Sequence, residues 1–235
     1  MSPRAAMVLA AGLGTRMGAL TRTRPKPLIE VGGRALIDHA LDLVAGAAIP
    51  RAVVNLHHHA AMLEAHLAAR RPPPEVVTVH EPERLETGGG LLNALPLLGP
   101  GPVAVLNSDA LWLGPNPLAA LAAAWDGARM GALLALVPQA RARAHAGADF
   151  ALAADGRLER AADGGLIYGG AAILDPAPLP RLGRPGEAFS LNRLFDHLAA
   201  RGRLHGLVWP GIWVDVGTPA GIAAAEAALR EAQAG

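Results

Sequence analysis

The chain has 235 residues, 51% of them hydrophobic, and its 21 Lys and Arg against 20 Asp and Glu leave a net charge of +1. That balance, with no basic patch interleaved with aromatics, argues against a nucleic-acid partner. No apolar run reaches the about 18 residues that a membrane-spanning helix needs, and with no cysteine there is neither a disulfide nor a thiolate metal site. The apolar start, Met7 to Ala11, is too short for a secretory signal, so a cytoplasmic location and no membrane partner are expected. The length suits one large domain or two small ones. We expect a single domain over 1–235, in two halves (1–137 and 138–235).

Taken in order, the elements alternate. Ala6 to Ala10 reads as a buried strand that stops at Gly12 and Gly14. Ala35 to Ala47 has helical spacing, Ala52 to Leu56 is a second strand, Ala60 to Ala69 a second helix, and Arg70 to Pro74 a surface connection. Val76 to Val79, Leu91 to Leu98 and Val103 to Asn107 continue as strand, helix and strand, the last ending at Asp109. Pro117 to Asp126 is a helix and Ala132 to Val137 a strand. This order predicts an α/β fold: a Rossmann-like mixed, mostly parallel sheet with helices on both faces. Ligands of such sheets lie beyond the carboxyl ends of the strands, which would gather the glycine loop, Glu81, Glu86 to Gly90 and Asp109 on one rim. From Asp149 the pattern changes to short antiparallel strands (Phe150 to Leu152, Arg157 to Arg160, Leu166 to Leu174) joined by Asp155-Gly156 and Asp163-Gly164 turns. Ala188 to Ala200 is an amphipathic helix, Leu204 to Trp209 a strand, and Pro219 to Ala232 a closing helix. There is no internal repeat.

The stretch after the first strand carries chemistry. Glycines let the backbone turn with positive φ and approach a ligand closely, and bare N–H groups in such a turn form a nest for anions. The first 29 residues hold five cations (Arg4, Arg16, Arg22, Arg24, Lys26) and no acid before Glu30. A polyphosphate needs such a loop and such an arm. A dinucleotide fingerprint is excluded: Met17 stands where the third glycine belongs, Gly18 is one place late, and Pro25 and Pro27 break any helix. The Gly-Lys-Ser/Thr of the mononucleotide P-loop is absent. Against 20 arginines, Lys26 is the single lysine. It marks a place where a compact point charge serves better than a planar fork.

Leu9-Ala-Ala-Gly-Leu-Gly-Thr-Arg16, Pro25-Lys26-Pro-Leu28, Leu85-Glu-Thr-Gly-Gly-Gly90, Asn107-Ser-Asp109 and Trp213-Val-Asp215-Val-Gly-Thr218 stand in one order. They resemble the motifs of the sugar-1-phosphate nucleotidyltransferases, the nucleotide-diphospho-sugar pyrophosphorylases. The likeness runs from about Met7 to Leu229. Within the family it is most similar to the short N-acetylmuramate-1-phosphate uridylyltransferases of peptidoglycan recycling. It implies nucleotidyl transfer from a nucleoside triphosphate, with UTP favoured, to a sugar-1-phosphate, giving the NDP-sugar and pyrophosphate. The alternatives are a mannose- or heptose-1-phosphate guanylyltransferase and a non-catalytic sugar-nucleotide sensor. A monomer or homodimer is expected, without the trimer of larger relatives.

The resemblance also implies roles. Arg16 and Lys26 would grip the triphosphate. Asp109 and Asp215, each after a short apolar strand, would hold Mg²⁺, which takes hard oxygen ligands and shares them with substrate phosphates. An Asp after a strand is by default a turn or cap residue, but two inside matching motifs point to ligands. The nucleotide would meet the backbone of Leu9, Ala10, Ala11, Gly12, Gly14 and Thr15, with Glu81 and Gly88 at the base. A carboxylate only accepts, so Glu81 would fit uracil N3–H or guanine N1–H and N2–H. Glu86, Thr87 and Asn107 line the same rim, and Asp149, Gly170 and Asn192 would meet the sugar. Many relatives carry a second lysine there; here Arg193, Asn192 or backbone groups must substitute. His57, His58, His59 and His66 resemble a metal cluster, but consecutive side chains diverge and cannot face one ion. Trp209 and Trp213 are expected to pack beneath the Asp215 segment.

Overall fold

The computed structural model describes residues 1–71, 73–161 and 164–234. The chain opens with β1 (Ala5–Leu9), then 3₁₀ segments at Thr15–Thr21 and Lys26–Leu28, then the small hairpin β2 (Glu30–Val31) and β3 (Arg34–Ala35). The alternating part is α1 (Leu36–Gly46), β4 (Arg51–Leu56), α2 (Ala60–Ala69), β5 (Glu75–His80), α3 (Glu86–Leu98), β6 (Val103–Asn107), β7 (Ala110–Leu113), α4 (Pro117–Ala124) and β8 (Ala132–Val137). There follow β9 (Ala142–Arg143), β10 (Phe150–Leu152), β11 (Leu158–Arg160), β12 (Ile167–Leu174), α5 (Leu179–Leu182), α6 (Asn192–Ala199), β13 (Leu204–Val208), β14 (Ile212–Asp215) and α7 (Pro219–Ala234).

Seven strands form the central sheet in the order β13-β8-β12-β6-β1-β4-β5. β6, β1, β4 and β5 pair in parallel and β13 runs parallel to β8, while β12 is antiparallel to both of its neighbours. Strand alternation divides the core. Met7, Val53 and Val105 face one helical layer with Leu91 and Phe195; Val8, Val54 and Leu106 face the other with Ile37 and Leu41. Strands covered on both faces need apolar residues at every position, hence the runs AAMVL and ALLALV. α6 buries Leu194, Phe195 and Leu198 and exposes Asn192 and Arg193.

Several elements differ from the sequence pattern. α3 starts at Glu86 rather than Leu91, because the three glycines pack as helix instead of forming a loop. The Ala188 to Ala200 helix shrinks to Asn192–Ala199, since Phe189 is drawn onto the α3 amides. Leu166 to Leu174 belongs to the central sheet as β12, wedged between β6 and β8. The turn at Asp155-Gly156 joins antiparallel β10 and β11, with Gly156 at φ 85°; Asp163, of the second predicted turn, lies outside the described residues, as does Pro72 of the Arg70 to Pro74 connection. β7 and β9, absent from the sequence reading, flank β14 in a second sheet.

Because Phe195 is 1% exposed between α6 and the sheet, Phe195→Ala is expected to remove about 3–5 kcal/mol of stability. Urea unfolding checks this; an unchanged midpoint would mean that the face is not core.

Candidate functional site

β1 delivers the glycine loop to the sheet's carboxyl rim. Gly14 takes φ 64°, and a Cβ there would stand 2.8 Å from Thr21 Cγ2 and 3.0 Å from Lys26 Cβ. The turn therefore requires glycine twice over, for its dihedral angle and for the close approach. Thr21 Oγ1 donates to the Gly14 carbonyl at 3.0 Å and locks the loop to its cationic arm. The N–H groups of Ala11, Gly12, Leu13 and Gly14 donate to nothing else among the described residues, so they remain open to an anion. Ala10 is the exception: its N–H donates to Asn55 Oδ1 at 2.7 Å.

Lys26 sits between Pro25 and Pro27, whose rings restrict the backbone on both sides of it. Its Nζ lies 2.6 Å from Asp109 Oδ2, with side-chain exposures of 9% and 35%. A cation so far from water needs an anionic partner, and Asp109, just past β6, supplies one. Ser108 donates from Oγ to the Leu9 carbonyl at 2.8 Å and ties the ends of β6 and β1 together. Leu9, Ala10, Ala11, Gly12, Lys26, Asn107 and Asp109 line one cavity of about 340 Å³ together with Glu86, Thr87, Asn55, Arg84 and Ser190. Gly170, at φ 85°, leaves room for the Asn107 side chain, whose Nδ2 would be 2.6 Å from a Cβ there. Glu86 holds a non-glycine positive φ of 59° on the cavity wall, the kind of backbone strain that gathers at binding sites.

Asp215 ends β14, which pairs with β7 so that Val216 N donates to the Asp109 carbonyl at 2.9 Å. Arg16 Nη2 and Asp215 Oδ1 both crowd the bare Cα of Gly217, at 2.6 and 2.7 Å from where a Cβ would stand. His145 Nδ1 lies 3.1 Å from Asp215 Oδ2. The two aspartates thus offer hard oxygens from hydrogen-bonded neighbouring segments, each partly open to solvent. Mg²⁺ takes one or two carboxylates and fills its remaining positions with water and phosphate, and this donor set suits it. A closed cage of three or more His, Asp or Glu does not occur among the described residues.

The structure revises several expected contacts. Glu81 is fully buried, with Oε1 accepting from Asn55 Nδ2 (2.8 Å) and Oε2 from Leu85 N (3.2 Å), so it stands behind the cavity wall instead of facing a base. The Gly88 N–H is committed to the Phe189 carbonyl at 2.8 Å, and its missing side chain admits the Phe189 ring. Thr87 Oγ1 accepts from Leu191 N, a link across to the second half. Asp149 Oδ2 accepts from Tyr168 N at 2.8 Å; burial, with the Asp149 charge adding, pushes the Tyr168 phenol well above its usual range. Asn192 is exposed at the start of α6, and Arg193 is tied to Glu187 and the Leu182 carbonyl, so neither lines the cavity. Thr15 and Arg16 lie exposed beyond the glycine turn.

The four histidines each have a separate hydrogen-bond partner. His57 reaches the Glu81 carbonyl, His58 that of Thr21 and His59 that of Arg22, while His66 meets Asp38. His58 and His59, with ring centroids 4.1 Å apart, stitch the start of α2 to the cationic arm, and His57 turns to the Glu81 segment. Trp209 and Trp213 are buried core residues whose indole N–H groups donate to the carbonyls of Pro115 and Gly169. Sequence reasoning missed Asn55, Arg84, Ser190 and His145. Asn55 alone had a signal: a polar residue next to the end of an apolar strand, on the same rim as the others.

Residues 6–174 match the model of the MobA-like NTP transferase domain family, and the chain belongs to that family of nucleotidyltransferases. It is 46% identical to the N-acetylmuramate alpha-1-phosphate uridylyltransferase of Caulobacter vibrioides, over 98% of this chain and 99% of that one. It is 34% identical to the protein of the same name from Neisseria meningitidis, over 91% and 93%. Among solved structures, a UDP-glucose pyrophosphorylase complexed with UDP-glucose superposes with a TM-score of 0.78 at 18% identity, covering 97% of this chain and 99% of that one. HddC from Yersinia pseudotuberculosis, complexed with GMP-PN, gives 0.76 at 20% identity, over 97% and 100%. These likenesses establish the fold.

Gly14→Ala should weaken nucleoside triphosphate binding at least about tenfold, since a left-handed alanine costs roughly 1–2 kcal/mol and its methyl would displace Lys26. Calorimetric titration measures this, and an unchanged affinity would remove the loop from the site.

Proposed function

We propose that the chain transfers the uridylyl group of UTP to N-acetylmuramate α-1-phosphate, giving the UDP-sugar and pyrophosphate, as a Mg²⁺-dependent enzyme. One observation carries this reading: free loop amides, Lys26 and Asp109 share a single cavity at the strand ends, in a chain nearly half identical, end to end, to a protein named for that reaction. Asn55, Arg84, Glu86 and Ser190 complete a wall wide enough for a nucleotide.

In the reaction an oxygen of the sugar phosphate attacks the α-phosphorus. A new P–O bond forms, the bond from the α-phosphorus to the bridging oxygen breaks, and pyrophosphate leaves with the electron pair. The nucleophile is already anionic, so no side chain needs to remove a proton. What this chain supplies is alignment and charge. The open amides of Ala11 to Gly14 would receive phosphate oxygens, and Lys26, released from Asp109 or shared with it, would neutralise charge at the α-phosphoryl group. Arg16, exposed beyond the glycine turn, would hold the leaving pyrophosphate. Asp109 and Asp215 would hold Mg²⁺, which supplies a Lewis acid and a template for two polyanions. Asp149, Gly170 and Asn192, expected at the sugar, do not line this cavity, and Arg84 is the cation on its wall that would meet the sugar phosphate.

Asp109→Asn is expected to abolish most turnover while circular dichroism stays unchanged; turnover like that of the wild type would exclude Asp109 as a ligand. Lys26→Ala should slow the reaction at least about 10²-fold, the scale of losing one preorganised donor. Pyrophosphate release measured across four triphosphates and a panel of sugar-1-phosphates tests the substrates. UTP with N-acetylmuramate α-1-phosphate should exceed GTP with mannose- or heptose-1-phosphate, and the reverse ranking would overturn the assignment.

A further inference from the structure

The buried carboxylate of Glu81 is unexplained by the reaction above. It is fully buried, carries no ion pair among the described residues, and accepts one hydrogen bond from Asn55 and one from Leu85 N. Burying a carboxylate without a cation is costly, so a segment that keeps one needs a pure acceptor there. Asn55 shows why. It is 2% exposed, stands one residue before the end of β4 and lines the nucleotide cavity. A carboxamide can stand either way round. Here Ala10 N–H demands an oxygen on one side, at 2.7 Å, and the Glu81 carboxylate demands N–H on the other, at 2.8 Å. Only one orientation satisfies both. It leaves Asn55 with one free Nδ2–H and one free lone pair. Gly90 completes the arrangement, because a Cβ there would stand 2.7 Å from Glu81 Oε1 and 2.9 Å from Asn55 Nδ2. The third glycine of Gly88-Gly89-Gly90 therefore makes room for the hydrogen bond between them.

We propose that Asn55 is a nucleotide-contacting residue and that Glu81 is its positioning residue, acting through the polarity of one hydrogen-bond chain: Glu81 carboxylate, Asn55 carboxamide, Ala10 N–H. The chain fixes the root of the glycine loop at Ala10, one residue before its open amides, and sets which group Asn55 turns to the nucleotide. The inference rests on the reading of this cavity as the nucleotide site, and it replaces direct contact between Glu81 and a base.

The polarity argument gives a test by exchange. Glu81→Gln keeps the shape but must place its NH₂ toward Asn55 or toward Leu85 N–H. Facing Asn55, it turns that carboxamide round and sets Nδ2 against the Ala10 N–H. Asn55→Asp sets two carboxylates against each other. The pair Asn55→Asp with Glu81→Gln restores the sequence of donors and acceptors, since the introduced carboxylate accepts both from the introduced carboxamide NH₂ and from Ala10 N–H. UTP affinity is read by calorimetric titration of each protein, and the KM for UTP and for the sugar-1-phosphate by pyrophosphate release. Each single variant should weaken UTP binding and raise its KM at least about tenfold, with the KM for the sugar-1-phosphate within about twofold. The double variant restores the chain to Ala10 but not the Nδ2–H that Asn55 offers the nucleotide, so it should bind UTP at least about threefold more tightly than Asn55→Asp without regaining the wild-type affinity. A double variant as weak as the weaker single, or a Glu81→Gln protein that binds UTP normally, overturns the proposal. If Glu81→Gln does not fold, the comparison of Asn55→Asp with the double variant decides it, recovery supporting the chain and no recovery refuting it. Failure of the transferase reading is separate: the wild type would then bind UTP yet release no pyrophosphate.

Discussion

The ion pair between Lys26 and Asp109 is the contact on which the site depends. It joins two segments 83 residues apart, the cationic arm after the glycine loop and the end of β6. Neither partner can be left alone where it is. Lys26 is nearly out of water, and Asp109 would face the cavity as a bare charge. Because Asp109 keeps about a third of its surface exposed, losing the pair should cost less than the about 3–5 kcal/mol of breaking a buried one. Its importance is therefore geometric. It holds the one lysine against the cavity wall, where on the proposed function a phosphate oxygen would take the place of the carboxylate oxygen.

The rest of the rim is braced in the same manner, by side chains that give the loops no freedom. Ser108 binds the Leu9 carbonyl, Thr21 the Gly14 carbonyl, Thr87 the Leu191 amide, and the three histidines bind three separate carbonyls. Loops at a sheet's carboxyl edge lack ladder partners, so their backbone polar groups must be met by side chains or ligand. Here nearly every bond of this kind connects segments far apart in sequence, and the amides of Ala11 to Gly14 are left open where an anion would enter. Preorganised donors of this sort need no rearrangement as charge develops.

How much of this was legible beforehand depends on the length of the signal. The buried parallel strands read clearly because a sheet covered on both faces needs unbroken apolar runs, as in Val103 to Leu106. The glycine loop and Lys26 were legible because each had a chemical reason visible locally, positive φ and a lone compact cation, whereas Asp109 stood out only through its motif, since an acid after a strand is by default a turn residue. What the pattern concealed was direction and partnership. Glu81 was assigned to the base by the resemblance, and nothing in Glu81-Pro-Glu-Arg-Leu-Glu86 tells which carboxylate faces the cavity and which the core. Gly88 to Gly90 looked like a loop, yet they are helical, since their lack of side chains serves packing against Phe189, the Glu187 carbonyl and the Glu81–Asn55 pair. Asn55 and Arg84 went unread because single polar residues at strand or loop ends are ordinary. His145 reaches Asp215 only through the fold, across 70 residues.

The central claim is that Lys26, Asp109 and the open loop amides receive the triphosphate together, with Asp215 on the same side. The most direct measurement is a crystal structure of the chain with Mg²⁺ and a non-hydrolysable UTP analogue. The account predicts phosphate oxygens on the amides of Ala11 to Gly14, Lys26 Nζ within hydrogen-bond reach of the α-phosphoryl group, and both aspartates turned toward one cation. A nucleotide bound away from this cavity, or Asp215 facing away from the phosphates, would contradict it.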